Sequence, residues 1–213
     1  HDDTDILTGY ALIIGPEDTP YFGGFYFFKF KFPYNYPLQP PTVTFHTNGK
    51  NIRFNPNLYR SGKVCVSILN TWVGEQWSSC QSLSSVLLSL CTLFVTNPLY
   101  NEPNIHRSQL SNLCESNSYD EIVFMGNLEI AICDIVTTNS YLHTEQNNWF
   151  ALFRDIIITH FGKNYKHILN NLKEKVFAKL KYNEFSLTDT LLENANYFDD
   201  VISSRTYKIT YSF

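Results

Sequence analysis

The first third of the chain alternates apolar and polar residues with a period of two, interrupted by turns. GYALIIG (Gly9 to Gly15) gives way to the turn-rich PEDTPYFGG, and FYFFKFKF then sets Phe28, Phe30 and Phe32 against Lys29 and Lys31. Alternate side chains of an extended segment face opposite ways, so this pattern predicts a strand with one buried face. TVTFHT repeats it with Val43 and Phe45. Three antiparallel strands are the simplest arrangement. Between the last two, Pro33, Pro37, Pro40 and Pro41 of FPYNYPLQPP exclude helix and central strand, because proline lacks the amide hydrogen and fixes φ; a stiff loop remains.

A further strand-like run, KVCVSIL, follows an Asn-Pro-Asn turn. Its alternation predicts Val64, Val66 and Ile68 on one face and Cys65, Ser67 and Leu69 on the other. Beyond it the period lengthens. Leu83, Val86, Leu87, Leu90, Cys91 and Phe94 share one face of a helix that Asn97-Pro98 should end. From about Tyr119 all patterns are helical. YDEIVFMGNLEIAICDIV is one segment, and Trp149 to Leu180 holds one or two more, with Tyr165, Ile168, Leu169, Leu172 and Val176 in register and Gly162 as the expected break. A last apolar pattern runs from Phe185 to Ile202. The fold class expected is α+β, with a core domain over residues 1–118 and an all-helical extension over 119–213.

Composition narrows the function. The chain has 213 residues, 44% hydrophobic and 17% charged, with a net charge of -4. Neutralising phosphates needs a basic surface, and no dense Lys/Arg patch accompanies stacking aromatics, so nucleic acid is not the expected partner. Gln76 to Asn101 contains no Asp, Glu, Lys or Arg, but Ser, Gln, Asn and Pro interrupt it well short of the ~18 apolar residues a membrane span requires; it reads as a buried helix. Five cysteines (65, 80, 91, 114 and 133) with no CxxC pair point to free thiols in a reducing compartment, cytoplasm or nucleus, and not to a disulfide framework or a zinc site. No metal and no cofactor are expected.

Taken alone, Cys65 fits a small core residue. No histidine lies within ten residues of it, which argues against a papain-like pair and leaves a remote partner such as His106 for any thiol-hydrolase reading.

The wider context carries more. YFGGFYFFKFKFPYNYPLQPPTVTFHT, NPN, GKVCVSIL and WSSCQSLSSVLLSL stand in the order and approximate spacing found in ubiquitin-conjugating enzymes, and the stretch from Gly9 to Pro103 resembles that family. The continuation past NPLYNEPN is similar to its large, C-terminally extended Z-type members. The resemblance implies an antiparallel meander sheet backed by helices. The family's N-terminal helix and most of its first strand have no counterpart in these residues; were they absent from the molecule itself, a sheet edge would be exposed.

By the same resemblance, Cys65 matches the cysteine that accepts ubiquitin or a ubiquitin-like modifier as a thioester from an activating enzyme, here the non-standard one that Z-type members use. Exchange between thiols is nearly balanced, so the thiol needs access and alignment more than a low pKa. Aminolysis is harder, since a lysine of pKa ~10.4 must lose its proton. Glu102 is the nearest match to the acidic residue that often helps, with Tyr100 and Asn101 beside it; a solvated loop carboxylate is its other reading. Ser67 stands where many members carry Asp. Asn57 matches the asparagine of the family's His-Pro-Asn turn: it either donates to the oxyanion, worth ~2.7–4 kcal/mol where single donors have been removed elsewhere, or ties down the loop. Asn55 replaces the usual histidine. Ligases meet Leu38 of the proline-rich loop and the loop holding Ser79 and Cys80, where WSSC replaces Trp-Ser-Pro-Ala. Gly23-Gly24 and Trp77 are expected to be structural, as turn and core. A catalytically silent binding module of the same fold is the alternative.

Overall fold

In the computed structural model the chain is described over residues 5–49, 51–102, 114–137 and 150–181, with the side chains of 114–118 and 175–181 excepted. It divides into two compact units, His1–Ile132 and Cys133–Phe213.

The first unit is built on an antiparallel sheet of order β1-β2-β3, with β1 Thr8–Ile14, β2 Phe25–Lys31 and β3 Thr42–Phe45. Register runs from Thr8↔Lys31 to Ile14↔Phe25 and from Phe28↔Phe45 to Lys31↔Thr42. The three predicted strands are these. The β1–β2 turn closes through Gly15 N–H on Gly24 O (2.8 Å) and Gly24 N–H on Tyr21 O (3.0 Å). Gly23 has φ 73°, a conformation glycine adopts without steric cost; a Cβ on Gly24 would stand 1.9 Å from Asn127 Oδ1.

One expectation for β2 needs correction. Its alternation predicts one buried face, yet Phe25, Tyr26, Phe27 and Phe28 are all buried, and only Lys29 and Lys31 keep contact with solvent. The chain beyond β3 continues alongside β2: Thr47 Oγ1 accepts the Phe27 N–H (2.8 Å) and donates to Phe25 O (3.0 Å), and His46 N–H donates to Phe27 O (2.9 Å). On the core side Tyr26 packs against Phe94 (ring centroids 4.7 Å apart) and Phe54 (5.6 Å), and Phe28 against Phe45 (5.3 Å). Such pairs add about 0.5–1.5 kcal/mol each beyond area burial.

Helix α1, Leu83–Cys91, starts at a capping box in which Ser82 and Ser85 exchange side-chain-to-backbone bonds. It is shorter and wetter than its composition suggests. Val86 and Leu90 are buried, but Leu83, Leu88 and Cys91 are exposed, and Phe94 reaches the core from the turn after the helix. The charge-free stretch is therefore a half-exposed helix flanked by loops; Ser and Thr keep its outer face wet without ionised groups. A 3-10 turn, Pro98–Asn101, follows.

Helix α2, Cys114–Gly126, runs on into a π-helical stretch, Asn127–Asp134. Val123, Ile130 and Ala131 lie in the same buried cluster as Tyr26 and Phe28. Asn127, buried at the start of the π-helical stretch, accepts from Tyr26 OH (2.6 Å) and donates to Phe22 O (2.9 Å).

In the second unit Arg154–Lys181 forms one helix, α3. The break expected at Gly162 is absent: the position is exposed and a Cβ there would meet nothing within 4 Å. Glycine costs a helix interior only about 1 kcal/mol, which its neighbours outweigh. Ile168 and Leu172 are buried and Tyr165 and Leu169 half-buried, in the register the periodicity predicts. Val176 and the Phe185–Ile202 pattern fall outside the described side chains and residues. No described helix is long and apolar enough to cross a membrane.

Candidate active site

The turn before Cys65 is organised by its own asparagines. Asn55-Pro56-Asn57-Leu58 closes with Leu58 N–H on Asn55 O (2.9 Å), and Asn55 Oδ1 accepts the Asn57 N–H (2.9 Å), a side-chain mimic of a backbone turn that suits asparagine. Asn55 is fully buried, and its Nδ2 donates to Leu93 O (2.8 Å) and Tyr21 OH (3.2 Å). Tyr21 OH donates to Phe54 O (2.6 Å); burial raises the pKa of this phenol well above the ordinary value, which keeps it a donor. Asn55 thus joins the turn to the chain leaving α1.

Cys65 is held by the turn from both sides of its peptide. Its N–H donates to Asn57 O (2.9 Å), and Asn57 Nδ2 donates to Cys65 O (2.6 Å). Cys65 is 2% exposed and Asn57 6%. The thiol aligned by this clamp is covered, where the sequence led us to expect an accessible one.

The strand expected across KVCVSIL stops at Val64, which bridges to Leu58. Ser67–Leu69 coil into a 3-10 turn ended by Asn70 in the left-handed region (φ 58°, ψ 24°). Coiling brings Ile68 and Leu69 both into the core with Val64 and Val66, so the predicted division into two faces fails, and Ser67 is left half-buried. Thr71 returns to the segment: its Oγ1 accepts the Val66 N–H (3.0 Å) and lies 2.9 Å from Val64 O and 3.1 Å from Val66 O. Nothing in the sequence singles out this threonine.

Glu102 follows the 3-10 turn, half-buried, its N–H on Leu99 O (3.0 Å). Asn101 Nδ2 donates to Leu93 O (3.3 Å), the carbonyl that Asn55 also uses. The carboxylate of Glu102 is felt by Tyr119, whose hydroxyl donates to Arg53 O (2.8 Å) and whose pKa is raised chiefly by burial. Tyr100 is exposed at its edge. The structure therefore brings Cys65, Asn57, Asn55 and Asn101 into one hydrogen-bonded chain, with Glu102 next in sequence. His106 lies outside the described residues.

Leu38 is exposed, as are Ser79 and Cys80. Their loops are tied together by Trp77, whose Nε1–H donates to Pro37 O (2.8 Å) and whose ring packs on Tyr36 (5.9 Å). Trp77 is half-buried against the core, a brace between loops more than an interior residue. A cleft of ≈ 440 Å³ lined by Pro41, Thr44, Lys63, Val64 and Thr71 among others does not include Cys65. Among the described residues no group of His, Cys, Asp or Glu is placed to hold a metal ion.

A three-stranded antiparallel meander leading into an Asn-Pro-Asn turn that clamps a cysteine defines an α+β protein with a thiol as its candidate reactive group. The sequence model of the ubiquitin-conjugating enzyme family matches residues 1–125, and the chain belongs to that family. It is 48% identical to ubiquitin-conjugating enzyme E2 Z of Xenopus tropicalis over 137 residues, 64% of this chain and 42% of the relative. It is 46% identical to E2 Z of Homo sapiens over 136 residues, 63% of this chain and 38% of the relative. It also matches the dual E2 ubiquitin-conjugating enzyme/E3 ubiquitin-protein ligase BIRC6 of Homo sapiens, 39% identical over 159 residues, 71% of this chain and 3% of the relative. The matches span less than half the length of these relatives.

Proposed function

We propose that the chain accepts ubiquitin or a ubiquitin-like modifier as a thioester on Cys65 and passes it to lysine amines or to a ligase. The observation that carries the reading is the reciprocal Asn57–Cys65 clamp within a region matched by the family. In charging, the Cys65 thiolate attacks the thioester carbonyl of the activating enzyme and that enzyme's thiolate leaves, one thioester replacing another. In discharge, an amine attacks the new thioester, the Cys65 thiolate leaves and an amide forms, the amine losing its proton on the way. Because Cys65 is 2% exposed, both steps require the groups over the thiol to move. Asn57 acts first as the tie that aligns Cys65. Glu102 orients the amine or takes its proton. Leu38, Ser79 and Cys80, on braced and exposed loops, form the ligase-facing edge. The non-standard activating enzyme of Z-type members is the proposed donor, and cytoplasm or nucleus, where thiols stay reduced, the proposed setting.

Incubation with ATP, modifier and activating enzymes tests the reading: an adduct removed by reducing agent is expected from the wild type. Cys65→Ser should instead form a more stable oxyester, since an alkoxide leaves less readily than a thiolate. No adduct with any activating enzyme would favour the silent module. A reducible adduct at full yield on Cys65→Ser would move the site to another cysteine.

A further inference from the structure

The backbone around Cys65 has its polar groups accounted for one by one. Cys65 N–H and C=O are both taken by Asn57. Val66 N–H goes to Thr71 Oγ1, and the one proton of that hydroxyl is shared between Val64 O and Val66 O, at 2.9 and 3.1 Å. Val66 O also accepts from Leu69 N–H (3.1 Å) and, more weakly, Thr71 N–H (3.4 Å). Two residues thus grip the segment: Asn57 holds the peptide groups of Cys65, and Thr71 holds the residues on either side of it.

We infer that Thr71 is a positioning residue for the Cys65 thiol. It acts through Val64 and Val66, the two residues that set the direction of the Cys65 Cα–Cβ bond, and needs no contact with the substrate. The location of Thr71 follows from the local fold. The left-handed Asn70 reverses the chain after the 3-10 turn, and Asn70 Oδ1 accepts the Trp77 N–H (2.8 Å), so the loop carrying Thr71 is anchored at both ends. A consequence bears on the chemistry: with Val66 N–H occupied by the hydroxyl, the amide following the nucleophile is not available to the oxyanion of the tetrahedral intermediate, and stabilisation there must come from a side chain or from outside this segment.

Thr71 is exposed as a residue, so water can replace its hydroxyl. Removing the hydroxyl should then spare the fold while letting the thioester wander from the attack geometry, where misplacement by about 1 Å costs on the order of 100-fold.

This inference rests on the proposed thioester chemistry, and the test separates the two. Wild type, Thr71→Ser and Thr71→Val are charged with modifier, freed of activating enzyme and ATP, and discharged to a series of lysine concentrations in a single turnover. Exchange of the Val66 amide hydrogen is followed by NMR on the uncharged proteins. The expected result is a Thr71→Val discharge rate at saturating lysine lowered at least about ten-fold, with half-saturation unchanged, circular dichroism unchanged and the Val66 amide exchanging faster. Thr71→Ser, which keeps the oxygen, should match wild type in all four. Full discharge by folded Thr71→Val overturns the inference, as does a change confined to half-saturation. If Thr71→Val does not fold, Thr71→Ser decides: a loss as large as ten-fold despite a protected Val66 amide overturns it. A wild type that never forms a reducible adduct removes the underlying reading instead.

Discussion

Asn57 and Cys65 exchange hydrogen bonds across a turn, Asn57 Nδ2 to Cys65 O at 2.6 Å and Cys65 N–H to Asn57 O at 2.9 Å. The amide has two hydrogens, and one of them is committed to the cysteine's own carbonyl. Asn57→Ala would leave that buried carbonyl unsatisfied, a cost of about 1–3 kcal/mol. It should slow charging as well as discharge, because both need Cys65 in place. Urea unfolding and single-turnover kinetics check it; normal charging with slow discharge alone would show that the donor serves the oxyanion and not the turn.

Glu102 sits one residue beyond Asn101, whose amide shares Leu93 O with Asn55. Glu102→Gln should slow lysine discharge by less than the ~100-fold that begins the range for general-base catalysis. The defect should shrink from pH 7 to pH 9, as solution deprotonates the amine unaided. A defect constant across that range would mean that the carboxylate orients without accepting a proton.

Asn127 links the π-helical stretch to the sheet side of the first unit through Tyr26 and Phe22. Asn127→Leu should cost at least about 2 kcal/mol, since a buried hydroxyl and a buried carbonyl each lose a partner. Adding Tyr26→Phe should recover part of the loss by deleting the stranded hydroxyl. Urea midpoints of the single and double variants decide it, and an unchanged midpoint for the single variant would contradict the bonding described.

His46 has its pKa lowered, first by burial and then by the Lys29 charge. The unfolded chain therefore binds this proton at a higher pH than the folded one does. The resulting stability is complete above the unfolded pKa of ~6.5 and is lost as pH falls below it toward the folded value. The urea midpoint should drop between pH 7.5 and 5.5, and His46→Gln should flatten that drop. An equally steep fall in the variant would place the proton elsewhere.

Helix α3 carries six lysines from Lys163 to Lys181 against one acid, Glu174. Lys163, Lys166 and Lys173 are exposed, which serves a solvated face and a docking surface for an acidic patch of the activating enzyme alike. If the second holds, reversing Lys173, Lys175 and Lys179 to Glu should slow charging roughly ten-fold, and added salt should slow the wild type. Circular dichroism must show the variant folded. Kinetics indifferent to both changes would leave the lysines as solvation.

The strands, the proline-rich loop, the register of α3 and the Asn-Pro-Asn turn before Cys65 were all legible in the residues, because period, turn chemistry and motif order are local properties of the chain. The failures share a cause. β2 is buried on both faces, with Tyr26 and Phe28 in the main core cluster and Phe25 and Phe27 covered outside it, and the cover of that second face comes from elsewhere in the chain. The strand through Cys65 coils at Ser67 because Asn70 and Thr71 fold the chain onto Val64 and Val66. Gly162 remains helical because the rest of α3 outweighs its cost of about 1 kcal/mol. The clamp on Cys65, the bridge from Asn55 to Leu93 and the grip of Thr71 depend on backbone carbonyls and N–H groups that almost every residue possesses, and a backbone group acquires a role only when the tertiary structure chooses its partner.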